Sequence, residues 1–209
     1  MRLRLISYNI MTGGEGRADP IAEVLLGQRA DIIGLHECEN AEVLSRIGRR
    51  LDMQFVVAAS VSGSVALFSR FPIVASLNVA LLTRSSMPIL DAVVKVSDYS
   101  GLGWTFAARV AHVTHAGEAD RMAGRLRDGR APMAMLMCYE APLGHRVIDG
   151  VVHPSTVAAP DKTHVPVRQL NAVRVRNGIE MIDSWIEADR LAYYASDHLP
   201  AGAEIEFAP

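Results

Sequence analysis

The feature of this 209-residue chain that most constrains its fold is a succession of short strand-like segments, many of them in pairs. Apolar residues in these segments either alternate with polar ones or form short continuous runs, and helical periodicity interrupts them at only two or three places. There is no strict strand–helix–strand alternation and no internal repeat. Half of the residues are hydrophobic, which is enough for a large core. The pattern predicts an α/β protein in which two sheets pack together with helices outside. No linker divides the chain, so we expect a single domain over residues 1–209.

Individual segments follow this pattern. The first strand is predicted over Leu3–Ile10, and the consecutive apolar segments of residues 65–82 are predicted as strands. Helices are predicted over Pro20–Arg29, over residues 40–51 with Asn40 as the N-cap, and over residues 118–128, where Gly129 ends the helix. Residues 143–167 are rich in Gly, Pro and His, and form the longest predicted loop.

Composition narrows the function classes. The formal net charge is −2, so there is no broad basic surface of the kind that nucleic-acid-binding proteins carry. Cys38 and Cys138 are the only cysteines, which gives neither a disulfide framework nor zinc-ligand spacing and fits a reducing compartment. The N-terminal residues are too short and too polar a stretch for a signal peptide, and no apolar run reaches membrane-spanning length. We therefore expect a cytoplasmic protein with no membrane partner.

Polar side chains follow several of the predicted strands. Asn9 follows "LISY", Glu37 follows "IIGLH", His112 lies in "ARVAHVTH", and Asp197 and His198 precede the last strand. Each has an ordinary structural explanation: Asn9 as a turn residue, His112 as a core histidine, and "ASDHLP" as a turn before a strand. Together, one amide, two carboxylates and two imidazoles are suited to a hard divalent cation with acid–base assistance. The functional hypothesis rests on their joint occurrence.

In order along the chain, these segments resemble the endonuclease/exonuclease/phosphatase superfamily, the metal-dependent phosphoesterases related to DNase I, abasic-site endonucleases and sphingomyelinases. The resemblance is carried by "LISYNI" with Asn9, by "ADIIGLHE" with Glu37, by "SVALFSRFPI", by "AHVTHAGEADR" with His112 and Arg121, and by "SDHLP". It covers nearly the whole chain. It implies a four-layer sandwich in which two mixed β-sheets pack face to face and helices flank them.

The resemblance also implies roles for the residues. Glu37 would be the principal ligand of Mg²⁺ or Mn²⁺, with Asn9 and Asp197 near it. His112 and His198 would contact the scissile phosphate while water attacks phosphorus in line. The residues expected on the substrate side of the site are Asn9, Arg121 and Cys138.

Three positions depart from the family pattern. Where the family has a Gly-Asp-x-Asn motif, alignment puts Cys138 in place of the Asp and Glu140 in place of the Asn. Asn171 replaces the Asp that holds the histidine corresponding to His198. A thiol is a poor substitute for a carboxylate as a hard-metal ligand, and Asn171 cannot stabilise an imidazolium by charge. Glu140 lies on the same face of its predicted strand as Cys138, so its carboxylate is the candidate compensation.

Two functions follow from this pattern. The first is an active metal-dependent phosphoesterase with a rearranged site, in which Glu140 and Asn171 belong to the catalytic set with His112, Asp197 and His198. The second is a pseudoenzyme of the same fold that serves as a binding or regulatory module. A small phosphorylated substrate is favoured over nucleic acid because the chain is slightly acidic. The sequence does not indicate an oligomeric state.

Overall fold

The computed structural model describes residues 1–83, 85–97, 103–113, 132–141, 151–154, 168–176 and 178–207. These residues form twelve strands and four helices. In chain order they are β1 (Arg2–Asn9), α1 (Ala18–Gln28), β2 (Ile32–His36), α2 (Ala41–Leu51), β3 (Gln54–Ser60), β4 (Gly63–Ser69), β5 (Ile73–Asn78), α3 (Val79–Thr83), β6 (Ile89–Ser97), β7 (Gly103–Val113), β8 (Met133–Ala141), β9 (Val151–Pro154), β10 (Arg168–Arg176), β11 (Ile179–Ile186), α4 (Arg190–Ala195) and β12 (Ala201–Phe207).

The strands make two six-stranded sheets. The first sheet has the order β11-β12-β1-β2-β4-β3, and the second has the order β5-β6-β7-β8-β10-β9. Each sheet contains one parallel pair, β1 with β2 and β7 with β8, and its other pairs are antiparallel. The prediction of two mixed sheets packed together is therefore confirmed.

Strand alternation divides the core into two layers. In β1, Leu3 and Leu5 are buried against the second sheet, whereas Ile6 and Tyr8 are buried against the helices on the outer face of the first sheet. The layer between the sheets is very thin at Gly34 in β2. A Cβ atom there would lie 2.7 Å from the Cβ of Leu136, so only glycine allows this approach.

Helices α1, α2 and α4 cover the outer face of the first sheet. Asn40 caps α2 as predicted, because its side chain accepts hydrogen bonds from the backbone N–H groups of Glu42 and Val43. The helix predicted over residues 118–128, which includes Arg121, lies outside the described residues. Within the described residues, no helix is long and apolar enough to cross a membrane.

Two local predictions were wrong. Residues 79–82, predicted as strand, belong to the short helix α3, because a short continuous apolar run does not by itself distinguish strand from helix. The predicted loop of residues 143–167 contains the strand β9, which adds to the edge of the second sheet beside β10.

Candidate active site

The predicted polar residues meet at one end of the layer between the sheets. In the first sheet, Asn9 and His36 are paired across β1 and β2. In the second sheet, Cys138 is paired with His112 on one side and with Asn171 on the other. We call these pairs the first-sheet row and the second-sheet row. The rows contact each other, since Nδ2 of Asn9 lies 3.5 Å from Sγ of Cys138.

Glu37 follows β2 directly and presents its carboxylate at this end of the layer. Its backbone has a positive φ of 54°, which ends the strand and turns the chain. Oε1 accepts a hydrogen bond from Nδ2 of Asn9 at 2.8 Å, and Oε2 accepts one from the backbone N–H of Thr12 at 3.0 Å. Burial by itself would raise the pKa of Glu37. These two hydrogen bonds, with His112 and His198 nearby, outweigh that effect and lower the pKa, so the carboxylate is held ionised.

Asn9 does more than end a strand. Its side chain is fully buried, and besides its contacts with Glu37 and Cys138 its Oδ1 accepts a hydrogen bond from the backbone N–H of Met11 at 2.8 Å. The amide is therefore fixed by contacts on both of its polar atoms. The explanation of Asn9 as only a turn residue is incomplete, because the same side chain also orients the Glu37 carboxylate.

Ser7 and His36 are two site residues that the sequence interpretation did not single out. Oγ of Ser7 lies 2.9 Å from Nε2 of His36 and donates its one hydrogen to the backbone carbonyl of Met137 at 3.0 Å. Nε2 of His36 must then be the donor to Ser7, which leaves Nδ1 as the unprotonated nitrogen. Burial, with His112 and His198 nearby, holds the pKa of His36 well below its usual value, so this imidazole is neutral. The sequence did contain a signal for both residues. Ser7 lies two residues before Asn9 and His36 lies two residues after Gly34, so strand alternation puts them on the same inward faces.

The second-sheet row contains one ionisable imidazole and two neutral replacements. His112 is half-buried, and its ring lies 6.0 Å from that of His36 in an edge-to-face arrangement. Cys138 and Asn171 are fully buried. Nδ2 of Asn171 donates to the backbone carbonyl of Leu199 at 2.9 Å, so it anchors the residue that follows His198.

Glu140 lies on β8 two residues beyond Cys138, opposite Gln169 of β10. Its side chain lies outside the described part of the structure, as does the whole of Arg121. The roles given to these two residues by the sequence therefore stay predictions.

The segment "ASDHLP" is the connection between α4 and β12. Oγ of Ser196 donates to the backbone carbonyl of Asn9 at 2.8 Å and accepts from the backbone N–H of His198 at 3.2 Å. The His198 side chain is 3% exposed and that of Asp197 is 55% exposed, with Nε2 and Oδ1 4.0 Å apart. This segment is a turn before a strand, as its residue types suggest, and it also brings Asp197 and His198 to the Asn9 end of β1.

Sequence comparison alone does not reach a relative of this chain. No protein-family model matches it, and neither does any curated protein. Comparison of the structure gives a definite result. The chain has the endonuclease/exonuclease/phosphatase fold.

Three solved structures illustrate the likeness. An endonuclease/exonuclease/phosphatase from Bacteroides vulgatus has a TM-score of 0.71 at 16% identity, over 99% of each chain. D. rerio TDP2, complexed with a single-strand DNA product, has a TM-score of 0.68 at 15% identity, over 98% of this chain and 99% of that one. The mannosyl-6-phosphatase Bt3783 of Bacteroides thetaiotaomicron has a TM-score of 0.59 at 14% identity, over 98% of this chain and all of that one. The predicted fold is thus confirmed, and at these identities the likeness concerns the fold alone.

The donor set of the site decides which metal ions suit it. Among the described residues, no three His, Cys, Asp or Glu side chains are arranged to hold an ion. Mg²⁺ does not need such a cage, because it commonly binds through one or two carboxylates and keeps several waters or substrate phosphates as its other ligands. Each oxygen of Glu37 accepts one hydrogen bond and retains a further lone pair. The residues present therefore fit a weak single-carboxylate ion site at Glu37.

Proposed function

We propose that this protein is a divalent-metal-dependent phosphoesterase that holds Mg²⁺ or Mn²⁺ through Glu37 and hydrolyses a phosphodiester or phosphomonoester. The observation that carries the proposal is the environment of the Glu37 carboxylate. Asn9 and the Thr12 N–H keep it ionised and oriented, and two histidines lie near enough to lower its pKa. An ionised carboxylate with imidazoles nearby, one on β7 and one in the connection before β12, is suited to an ion and to a phosphate group together.

Such an ion, when bound, neutralises charge on the phosphoryl oxygens. In the proposed reaction Glu37 supplies the protein's charge to the ion, and Asn9 keeps the carboxylate from rotating. His112 and His198 belong beside the phosphoryl group, where their N–H groups stabilise the developing negative charge. Asp197 has the more exposed carboxylate of the site, so it is placed to orient the attacking water.

For the substrate we propose a small phosphorylated molecule, with nucleic acid as the alternative. The support is the net charge of −2, because a protein that follows a nucleic-acid backbone needs an excess of Lys and Arg on its surface. The structural neighbours include both kinds of protein, a mannosyl-6-phosphatase and a TDP2 bound to single-strand DNA product. A DNA complex whose affinity falls steeply with salt would favour the alternative.

One observation favours a second function, a pseudoenzyme that binds without catalysis. Cys138 and Asn171 are adjacent across β8 and β10, and both are fully buried. These positions are neutral where the family resemblance predicts two carboxylates, so the second-sheet row contributes no negative charge through them. A pseudoenzyme would have this arrangement, in which the fold is retained and the two positions carry no charge.

The test is a calorimetric titration of the metal-free protein with Mg²⁺ and with Mn²⁺, run on the wild type and on Glu37→Gln. Glu15→Gln is the matched control, because it makes the same change at an exposed position on the loop that follows β1. We expect binding in the wild type and in the control, and its loss in Glu37→Gln. A hydrolysis screen with p-nitrophenyl phosphate and its bis-ester follows under saturating Mn²⁺.

The outcomes separate the two functions. Binding that depends on Glu37, together with hydrolysis, supports the phosphoesterase. An absence of metal binding in the wild type, or metal binding without hydrolysis of any ester, contradicts it and favours the pseudoenzyme.

A further inference from the structure

The side chain of Arg17 joins two loops of the site, one that donates a backbone N–H to Glu37 and one that carries Asp197 and His198. The first loop follows β1 and contains Met11 and Thr12, and the second connects α4 to β12. Nη2 of Arg17 donates to the backbone carbonyl of Met11 at 2.5 Å, and Nη1 donates to that of Ala195 at 2.5 Å. A guanidinium is always charged and presents its N–H donors as a rigid fork, so one side chain holds both carbonyl oxygens at once.

A second contact links the same loops. Oγ of Ser196 lies 2.8 Å from the backbone carbonyl of Asn9 and 3.3 Å from Oδ1 of Asp197, so its single hydrogen is best placed for the carbonyl. The backbone N–H of His198 in turn donates to this Oγ. Arg17 and Ser196 therefore both connect the start of the first loop with the residues that immediately precede Asp197 and His198.

The backbone of Arg17 is also fixed by two hydrogen bonds at the start of α1. Its backbone N–H donates to the carbonyl of Gly14 at 2.9 Å, and its carbonyl accepts from the N–H of Ile21 at 3.0 Å, where α1 begins. The side chain does not cap α1. It instead extends from the helix start to the loop carbonyls, and this connects the rigid helix layer with the two loops of the site.

We propose that Arg17 is a positioning residue, which holds the Met11–Thr12 turn and the Asp197–His198 segment in fixed relation on either side of the site. It acts through the carbonyls of Met11 and Ala195. The Thr12 N–H that binds Glu37 lies one residue beyond Met11, and Asp197 lies two residues beyond Ala195. Movement of the Met11 carbonyl would therefore move the N–H that orients Glu37, and movement of the Ala195 carbonyl would move Asp197. Only the catalytic consequence of this inference rests on the proposed function.

The test measures amide hydrogen exchange in the metal-free protein, with no substrate present. Arg17→Met keeps most of the side-chain length and removes all the donors. Arg46→Met is the matched control, because Arg46 makes a two-nitrogen ion pair with Asp19 on the exposed surface of α1 and α2. We expect exchange about tenfold faster or more at the amides of Met11, Thr12 and His198 in Arg17→Met, since bonds from a charged donor stabilise the closed state. The control should leave these amides unchanged.

Two further variants separate the charge of Arg17 from its fork of donors. Arg17→Lys retains the charge but lacks the fork, so it should restore only part of the protection, and guanidinium ion added to Arg17→Ala at millimolar concentration should restore more than methylammonium does. Unchanged exchange in Arg17→Met overturns the inference. So does equal acceleration at the core amides of Leu5 and Ile32, which would show that Arg17 supports the whole fold.

A failure of the proposed function would give a different set of results from a failure of the Arg17 inference. A protein that hydrolyses no phosphoester would still show the exchange pattern, and this would contradict the phosphoesterase proposal while supporting the position of Arg17. If the wild type is active, Arg17→Met and Arg17→Ala should lower kcat more than they raise KM, and guanidinium should rescue the kcat of Arg17→Ala.

Discussion

The carboxylates at the two ends of β2 have pKa values shifted in opposite directions. Asp31 precedes the strand and Glu37 follows it, and both are half-buried. Burial raises the pKa of Asp31, and the backbone N–H of Arg4, with the charges of Arg70 and Arg4, does not compensate fully. The pKa of Glu37 is lowered in spite of similar burial, because both of its oxygens accept hydrogen bonds and histidines lie close.

The difference lies in the neighbours that each carboxylate has. The Asp31 carboxylate has one backbone donor and two arginine charges near it. The Glu37 carboxylate has the Asn9 side chain, the Thr12 N–H, and His112 and His198. Burying a charge is unfavourable unless hydrogen bonds or opposite charges compensate for the lost water, and Glu37 has fuller compensation than Asp31. This difference is why the proposed site lies at the end of β2.

The largest expected effect comes from removing the Asn9 amide. Asn9→Ala deletes the hydrogen bond to Oε1 of Glu37, so the pKa of Glu37 should rise and Mn²⁺ affinity should fall about tenfold or more, as for the loss of a hydrogen bond to a charged group. Titration calorimetry measures the affinity, and carbon NMR of the Glu37 carboxyl measures the pKa.

Asn40→Ala is the control for this change. It removes an amide that caps α2, so it should lower stability by about 1 kcal/mol without changing metal affinity. Equal metal affinity in Asn9→Ala and the wild type would show that the Glu37 carboxylate does not depend on Asn9, and the comparison between the two ends of β2 would lose its basis.

A smaller effect is expected at the middle of β2, where the two sheets approach most closely. In Gly34→Ala the new methyl group would meet Leu136 at 2.7 Å and Val110 at 3.2 Å, and overpacking of this kind costs roughly 1–3 kcal/mol of unfolding free energy. Urea denaturation checks the value. Gly27→Ala is the matched control, because nothing lies within 4 Å of a Cβ there and helical Gly→Ala is neutral or stabilising. Equal stability of the two variants would mean that the sheets tolerate a wider spacing.

The strands that position the site were predictable, and several of its contacts were not. Alternation in β1 and the apolar run of β2 place Asn9 and Glu37 at strand ends, because parallel neighbours end at the same edge of a sheet. The helix α3 was missed because a run of four apolar residues fits the periodicity of either a strand or a helix. The contacts of Arg17 were missed for a different reason: one of its two acceptors lies 178 residues away, and no local sequence pattern indicates a contact over that separation.

The smallest change in unfolding free energy is expected from Asp31→Asn. Its sign at neutral pH should be opposite to that of the change caused by Glu37→Gln. A carboxyl group whose folded pKa is raised above 3.8 contributes stability at low pH that is lost as pH rises through the folded pKa. An amide at this position still accepts the hydrogen bond from Arg4, so the variant should equal or exceed the wild type at neutral pH by less than about 1 kcal/mol, given partial exposure to solvent. This advantage should disappear on acidification below pH 3.8.

In the same experiment without metal, the difference in unfolding free energy between Glu37→Gln and the wild type should change with pH in the opposite direction. Because the folded pKa of Glu37 is below 4.5, its ionised form contributes stability above that pH and the contribution is lost as pH falls through the folded pKa. Urea denaturation of both variants and the wild type between about pH 3 and pH 7 separates the two cases. The same pH dependence of unfolding free energy in both variants would contradict the opposite pKa shifts of Asp31 and Glu37. Opposite slopes would show that β2 carries a carboxylate destabilised by burial at its start and one stabilised in its charged form at its end.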